Sequence, residues 1–257
     1  MTETQMEQAK NEYMENLKKL TSDRDSIERS TTLQRDSSEW IEIRQKLIAA
    51  SNFGSISHGV ENEHQALLQL QRQENVNILP CGLFIDKSHC YIGATPDGLI
   101  GTDTIVEIKC PITASKQGLV KAIEENKIQI IKYNKKTMTK TINKNSKWFY
   151  QIQGQLHITG RRVCLLGIWA GENEPIHTER IEKDDEFWQK NMEPKLVQFY
   201  LKCLLPELVD SRYERGMPIR DLTLQNKENI QPNSCTSSLL SESHAGPSSR
   251  VVNIDQF

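Results

Sequence analysis

Three residues near the middle of the chain have the types and the spacing that phosphodiester hydrolysis needs. Asp97 lies in the run Thr95-Pro96-Asp97-Gly98, and Glu107 and Lys109 follow within the next twelve residues. Hard carboxylate oxygens suit Mg²⁺, which keeps several waters and shares its remaining coordination positions with substrate phosphate. An ammonium beside them can orient or deprotonate the attacking water, or offset charge on the scissile phosphate. The pattern therefore indicates metal-assisted hydrolysis of a phosphodiester.

The elements that carry these residues follow from their neighbours. Residues 105–109 alternate apolar and polar side chains, so a strand here places Glu107 and Lys109 on one face. Asp97 lies between a proline and a glycine, the residue types of a tight turn, so a hairpin would return it beside Glu107. The alternative is a surface hairpin with an incidental salt bridge, since the bare pattern also arises by chance.

A helix upstream supplies a third carboxylate. The stretch from Gly59 to Leu70 is amphipathic and projects Glu61 or Glu63 near its start. The two glutamates are two residues apart and equally acidic. Spacing alone leaves the choice between them open.

A second helix and a strand follow downstream. Residues 148–158 predict a helix on which Gln151 and Gln155 are one turn apart, with Gln153 as an alternative to Gln151. Residues 163–169 form a continuous apolar run, which is typical of a strand buried on both faces. The order is therefore helix, hairpin, helix and strand.

Taken in order, these motifs resemble the viral recombinase branch of the PD-(D/E)xK nucleases, the group that contains phage lambda exonuclease. The similarity covers about half of the chain, roughly from Trp40 to Trp169, and its specificity lies in the order of several motifs. The matching segments are Trp40-Ile41-Glu42-Ile43-Arg44, Ile48-Ala49-Ala50-Ser51, Gly59 to Ala66, Thr95 to Gly98, Glu107 to Pro111 and Gln151-Ile152-Gln153. The resemblance implies an α/β fold with a restriction-endonuclease-like core, in which helices flank a mixed central β-sheet.

The same resemblance implies two Mg²⁺ ions, for which Mn²⁺ is expected to substitute. The implied ligands are Glu63, Asp97, Glu107 and the main-chain carbonyl of Ile108. Lys109 would serve the nucleophilic water, and Gln151 would steady Lys109 or the water. The resemblance favours Glu63 over Glu61, and Gln151 over Gln153.

A pocket for a terminal 5′ phosphate is also implied. Arg44, Ser51 and Thr95 match its positions, where a guanidinium fork and hydroxyl donors suit an anion with three oxygens. An enzyme with such a pocket begins digestion at the end of a DNA strand. The sequence departs from the family in having Ala49 or Ala50 where a threonine is common, and Thr95 in place of a serine. The alternative for Arg44 is an ordinary surface charge.

A lysine-rich segment lies between the strand that carries Glu107 and Lys109 and the helix that carries Gln151. Residues 126–147 contain seven lysines and no acidic residue. Alternation over residues 127–133, with a return over 137–145, predicts a hairpin that borders the active site. Lys135, Lys136 and Lys140 are its candidate DNA contacts, which would give affinity without sequence preference. The alternative is a solvated charged loop.

Composition limits the class of protein without naming a function. The 257 residues leave room for one sizeable α/β domain with appendages, and the net charge is −2. The six cysteines include no Cys-x-x-Cys pair, which fits free thiols in a reducing compartment, and the histidines lack the spacing of a zinc site. Neither a signal peptide nor an apolar run of about 20 residues is found, so no membrane partner is expected.

Three segments are predicted along the chain. Residues 1–36 form a helical arm that packs on the core or serves assembly. Residues 37–215 form the nuclease domain, which ends in an amphipathic covering helix over 179–215, interrupted near Pro194. Residues 222–257 are polar and poor in aromatic side chains, so a disordered tail is predicted.

The expected protein is a Mg²⁺-dependent deoxyribonuclease that digests double-stranded DNA from 5′ to 3′. It would expose 3′ single strands for recombination, repair or replication. One alternative is an endonuclease of the same fold, and another is a non-enzymatic DNA-end-binding protein. The resemblance also suggests a single-strand annealing protein as partner, a trimeric assembly, and a nuclear or viral replication site.

Overall fold

The structure is a computed structural model that describes residues 2–50 and 60–220. Seven helices precede the C-terminal region: α1 (Glu3–Leu20), α2 (Arg24–Ser30), α3 (Ser38–Arg44), α4 (Val60–Glu74), α5 (Ile112–Gln117), α6 (Leu119–Glu124) and α7 (Lys147–Thr159). A 3₁₀ turn over Gln34–Asp36 joins α2 to α3. The strands are β1 (Ile48–Ala49), β2 (Phe84–Ile85), β3 (Ile92–Ala94), β4 (Gly98–Ile100), β5 (Thr104–Lys109), β6 (Ile131–Asn134), β7 (Thr139–Ile142), β8 (Val163–Ile168) and β9 (His177–Glu182).

The central sheet has the strand order β4-β5-β8-β9 and is mixed. β5 is antiparallel to β4 and parallel to β8, while β9 is antiparallel to β8. A smaller sheet has the order β1-β3-β2, and β6 pairs with β7 as a separate hairpin. The mixed central sheet and its flanking helices agree with the predicted fold class.

Helices pack against both faces of the central sheet. On one face, apolar residues of β5 and β8 contact Phe149, Ile152 and Leu156 of α7. On the other face, Val106 and Ile108 pack with α4. Because successive residues of a strand point to opposite faces, this arrangement directs Glu107 and Lys109 toward α7.

Local signals set the ends of α7. The side chain of Ser146 accepts a hydrogen bond from the backbone N–H of Phe149 and so caps the first turn. Gly160, at φ 69°, takes the left-handed conformation that commonly ends a helix. The two ends of α7 therefore follow from its own sequence.

The terminal regions cover the smaller sheet. Leu17 of α1 is buried in the cluster that also contains Tyr200, so the N-terminal segment packs on the core. The C-terminal helical run comprises α8 (Asp185–Phe187), a π-helical stretch over Trp188–Met192, α9 (Glu193–Phe199), a second π-helical stretch over Tyr200–Leu204, and α10 (Leu205–Val209). The predicted covering helix over 179–215 starts too early, because residues 179–182 belong to strand β9. Its predicted interruption near Pro194 is wrong, because the proline occupies the first turn of α9 and a π-helical stretch precedes it.

Some predictions fall outside the described residues, namely those for Ser51, for the Glu61 side chain and for the tail over 222–257. Within the part of the chain that is described, no helix is both long and apolar enough to cross a membrane.

Candidate active site

Asp97 lies at the point where β4 begins to pair with β5. Its backbone N–H donates to the carbonyl of Val106 at 3.0 Å, and its Oδ2 accepts from the backbone N–H of Ile108 at 2.6 Å. In a strand, the N–H and C=O of one residue point to the same side. The carbonyl of Ile108 therefore faces the same gap beside β4 as the Asp97 carboxylate.

Glu107 is 2% exposed, and three donors hold its carboxylate. Oε1 accepts from Lys109 Nζ at 2.6 Å and from Gln151 Nε2 at 2.6 Å. Oε2 accepts from Gln155 Nε2 at 2.7 Å. Lys109 Nζ also donates to Gln151 Oε1 at 3.0 Å, which closes a triangle of contacts. A buried carboxylate needs such partners, because the hydrogen bonds that water gave it must be replaced.

The three glutamine side chains of α7 point in two different directions. Gln151 and Gln155 are one turn apart and both reach Glu107. Gln153 instead donates to the carbonyl of Glu182 and accepts from the N–H of Asp184. Gln151 is thus the one of this pair that contacts Glu107 and Lys109, and its role in catalysis stays a prediction. Gln155 was not among the predicted site residues, although its four-residue spacing from Gln151 was the signal that could have identified it.

Glu63 contributes a third carboxylate from the first turns of α4. Its pKa is raised by burial and then by the nearby negative charge of Glu107. Burial, Glu107 and Glu63 together raise the pKa of Asp97 well above its ordinary range. Three carboxylates thus interact around the single ammonium of Lys109, which leaves an excess of negative charge when all of them are ionised.

Lys109 is positively charged in this arrangement. Burial disfavours the ammonium, but the charges of Glu107 and Asp97 outweigh burial and raise the pKa of Lys109 above its usual value. A lysine in this state donates hydrogen bonds and offsets negative charge. Of the roles predicted for it, orienting water and neutralising phosphate fit this protonation state better than deprotonating water.

The donor chemistry fits a hydrated Mg²⁺ ion. Asp97 lies beside Ile108, Glu107 is near enough for its charge to raise the pKa of Asp97, and the local charge is negative, so hard oxygens are available here. In the described ranges, 2–50 and 60–220, no three His, Cys, Asp or Glu side chains converge into a ready-made metal cage. Two carboxylates and a carbonyl suit an ion that keeps waters of its own.

Comparison with known families places this site in a recognised domain. Residues 56–162 match the model of the YqaJ-like viral recombinase domain. This segment of the chain is therefore similar to a YqaJ-like viral recombinase domain. The family suspected from the sequence is thereby confirmed, and the YqaJ-like domain contains the glutamates, the aspartate, the lysine and the glutamines described above.

Solved structures give the fold of this domain. The structure of LHK-Exo in complex with dAMP is 20% identical with a TM-score of 0.52, and the match covers 70% of this chain and 98% of LHK-Exo. A second structure of LHK-Exo, an alkaline exonuclease from Laribacter hongkongensis, is 18% identical with a TM-score of 0.51 and the same coverage. These likenesses confirm the predicted PD-(D/E)xK fold class. A search of curated proteins found no match.

Two of the three residues predicted for a terminal phosphate meet through a tryptophan that precedes the YqaJ-like match. The Arg44 guanidinium lies 4.4 Å from the centre of the Trp40 ring, and Trp40 Nε1 donates to Thr95 Oγ1 at 3.1 Å. Burial and the neighbouring positive charge of Arg35 lower the pKa of Arg44 to about 10, so Arg44 stays charged at neutral pH. Ser51 lies outside the described residues. No motif in the sequence pointed to Arg35.

The lysine-rich segment forms the predicted hairpin, but with shorter strands. β6 begins at Ile131, so the predicted strand start at Lys127 is wrong: Ile128 and Ile130 are buried in the preceding turn. Lys144 pairs with Asp184 at 2.8 Å, beyond the edge strand β9. A position beside the active site, and DNA contacts by Lys135, Lys136 and Lys140, stay predictions.

Repulsion among the carboxylates gives a test of the site without substrate. A buried acid whose pKa is raised on folding stabilises the protein below its ordinary pKa, and this contribution is lost as the pH rises through the folded-state value. Asp97→Asn keeps an acceptor for Ile108 and removes the charge. We expect it to raise the Tm at pH 8 in EDTA by about 2–4 °C for each kcal/mol gained, with a smaller gain at pH 5.

Asp103→Asn is the control for this measurement. Asp103 is exposed, and its pKa is lowered by a hydrogen bond from Arg162, so removing its charge should not stabilise the protein. An equal rise in Tm for Asp97→Asn at both pH values would contradict carboxylate repulsion at the site.

Proposed function

We propose that this protein is a divalent-metal-dependent deoxyribonuclease that degrades one strand of double-stranded DNA from a 5′ end. The observation that carries the proposal is the buried Glu107 carboxylate, bound by Lys109 and Gln151, with Asp97 across the gap beside Ile108. Two carboxylates, a carbonyl and an ammonium are what the hydrolysis of a phosphodiester by hydrated Mg²⁺ requires. LHK-Exo, which shares the fold, is an alkaline exonuclease.

Each side chain has a role in this proposal. Asp97, Glu107 and the Ile108 carbonyl would hold one Mg²⁺ ion, and Glu63 with Asp97 would hold a second. When bound, the ions would stabilise charge that develops on the phosphate and make water a stronger nucleophile. Lys109 would direct its ammonium at the scissile phosphate or orient the attacking water, while Gln151 fixes its position. Removing one preorganised donor that stabilises charge in a transition state slows reactions by about 10²–10³-fold.

Digestion of defined DNA substrates tests the activity. Wild-type protein should degrade linear duplex DNA in Mg²⁺, not in EDTA, and should leave a closed circle intact. Lys109→Ala should lower the rate by about 10²-fold or more without lowering the Tm comparably. Lys190→Ala, which removes a surface ammonium paired with Glu186, is the control and should keep the wild-type rate.

Three results would argue against this scheme. Cutting of the closed circle would indicate an endonuclease. Normal activity of Lys109→Ala would remove the assigned role of the lysine. Binding of DNA ends without any cleavage would favour the end-binding alternative.

Arg44, Trp40 and Thr95 would recognise the phosphate at the 5′ end. The guanidinium is fixed by stacking on the indole, and the indole N–H fixes the Thr95 hydroxyl. The Arg35 charge adds to the positive field at Arg44. A lysine keeps the positive charge but lacks the two parallel N–H donors of a guanidinium. Arg44→Lys therefore distinguishes bidentate binding of the phosphate from simple charge attraction.

We expect wild-type protein to prefer a 5′-phosphorylated end over a 5′-hydroxyl end in kcat/KM. Arg44→Lys should reduce that preference by about tenfold, which corresponds to about 1.4 kcal/mol. Lys46→Ala serves as control, since Lys46 lies just beyond the same helix and pairs with Glu42. An unchanged preference in Arg44→Lys would exclude Arg44 from end recognition.

The β6–β7 hairpin would bind the DNA backbone through its lysines. Reversal of Lys135, Lys136 and Lys140 to Glu should weaken duplex binding and flatten its salt dependence. The slope of log K against log salt should fall by about 0.9 for each phosphate that the variant no longer neutralises. Reversal of Lys10, Lys18 and Lys19 on α1 changes the net charge equally and is the control. Equal binding by the two triple variants would show a general charge effect and exclude a specific role for the hairpin.

A further inference from the structure

Gln155 contacts both Glu107 and the turn before β4, and one of its amide atoms has no partner among the described residues. Its side chain is fully buried, and Nε2 donates to Glu107 Oε2 at 2.7 Å and to the Thr95 carbonyl at 3.4 Å. It therefore connects the carboxylate of β5 to the turn that carries Asp97. Its Oε1 is buried and has no hydrogen-bond partner among the described residues.

Chemistry fixes the orientation of this amide. The carboxylate of Glu107 and the carbonyl of Thr95 can only accept hydrogen bonds, so the NH₂ group must face both of them. Turning the amide over would oppose its oxygen to two other oxygens. The unpaired atom is therefore an acceptor, and it belongs to the same amide whose nitrogen binds the Glu107 carboxylate.

An unpaired buried acceptor is uncommon in a folded protein and indicates a ligand that can donate to it. Gln153 provides the comparison, because it lies two residues away on α7, is 1% exposed and uses both its amide nitrogen and its oxygen in hydrogen bonds. Burial of a glutamine on this helix thus does not in itself leave an atom unpaired. Of these two glutamines, only Gln155, which binds Glu107, has an amide oxygen without a partner among the described residues.

We propose that Gln155 is a positioning residue that fixes Glu107 Oε2 and offers Oε1 as acceptor to a water molecule accompanying a bound divalent cation. The inference rests on the proposed function and extends it to a residue outside the predicted site. Mg²⁺ and Mn²⁺ carry waters when only a few protein oxygens bind them, and these waters are hydrogen-bond donors. Ligands are oriented by such outer partners, whose loss weakens metal affinity by about 10–100-fold.

The experiment compares Gln155→Met with Gln153→Met. Both replace a buried glutamine of α7 by an apolar side chain of similar length, so both remove hydrogen bonds and both should lower the Tm. Binding of Mn²⁺ alone is measured by calorimetry without DNA, and the Mg²⁺ concentration for half-maximal cleavage is measured on linear duplex DNA. We expect Gln155→Met to raise the Mn²⁺ Kd and the Mg²⁺ requirement by about tenfold or more, and Gln153→Met to change each less than about twofold.

Equal Mn²⁺ affinity for Gln155→Met and wild type, with only the Tm lowered, would overturn the inference and leave the proposed function intact. A wild-type protein that neither binds Mn²⁺ nor cleaves DNA would overturn the proposed function, and the inference with it. Should Gln155→Met not fold, Gln155→Asn provides the same comparison. Asparagine keeps the amide group, but its side chain is one methylene shorter and should not reach Glu107. Gln155→Asn should therefore also raise the Mn²⁺ Kd.

Discussion

The buried carboxylate of Glu107 is the constraint on which the rest of the site depends. An ionised group in the middle of a sheet is costly unless donors replace the water around it. Lys109 supplies one donor from the same face of the same strand, and Gln151 and Gln155 supply the others from α7. The apolar residues of α7 pack on the sheet and fix the position of the helix. This position directs the two glutamines toward Glu107 on β5.

The second constraint is the repulsion that follows when further carboxylates approach Glu107. Asp97 and Glu63 have raised pKa values for this reason as well as for their burial, and one lysine does not neutralise all three groups. Like charges held close together lower the free energy of unfolding of the protein. Functional sites often destabilise a protein in this way. In the proposed nuclease, divalent cations would supply the balancing positive charge.

Much of this arrangement could be predicted because it is local. The alternation over residues 105–109 predicts a strand, and the proline and glycine around Asp97 predict the turn that begins β4. Helical spacing likewise identified α4 and α7, and a continuous apolar run identified the buried strand β8. Local patterns failed at Lys127 and at Pro194. Apolar residues are buried in a turn in the first case, and in the second the proline occupies the first turn of α9, directly after a π-helical stretch.

The sequence by itself determined the core of the fold and the residue types of the site. Strand alternation, turn residues and helix caps act over a few positions, so one chain read in order reveals them. Tertiary structure alone decided that Gln155 binds Glu107, that Trp40 connects Arg44 to Thr95, and that Arg35 acts on Arg44. The contacts of Gln155 with Glu107 and of Trp40 with Thr95 join residues far apart in the chain, and a local pattern does not show which distant side chains packing will bring together.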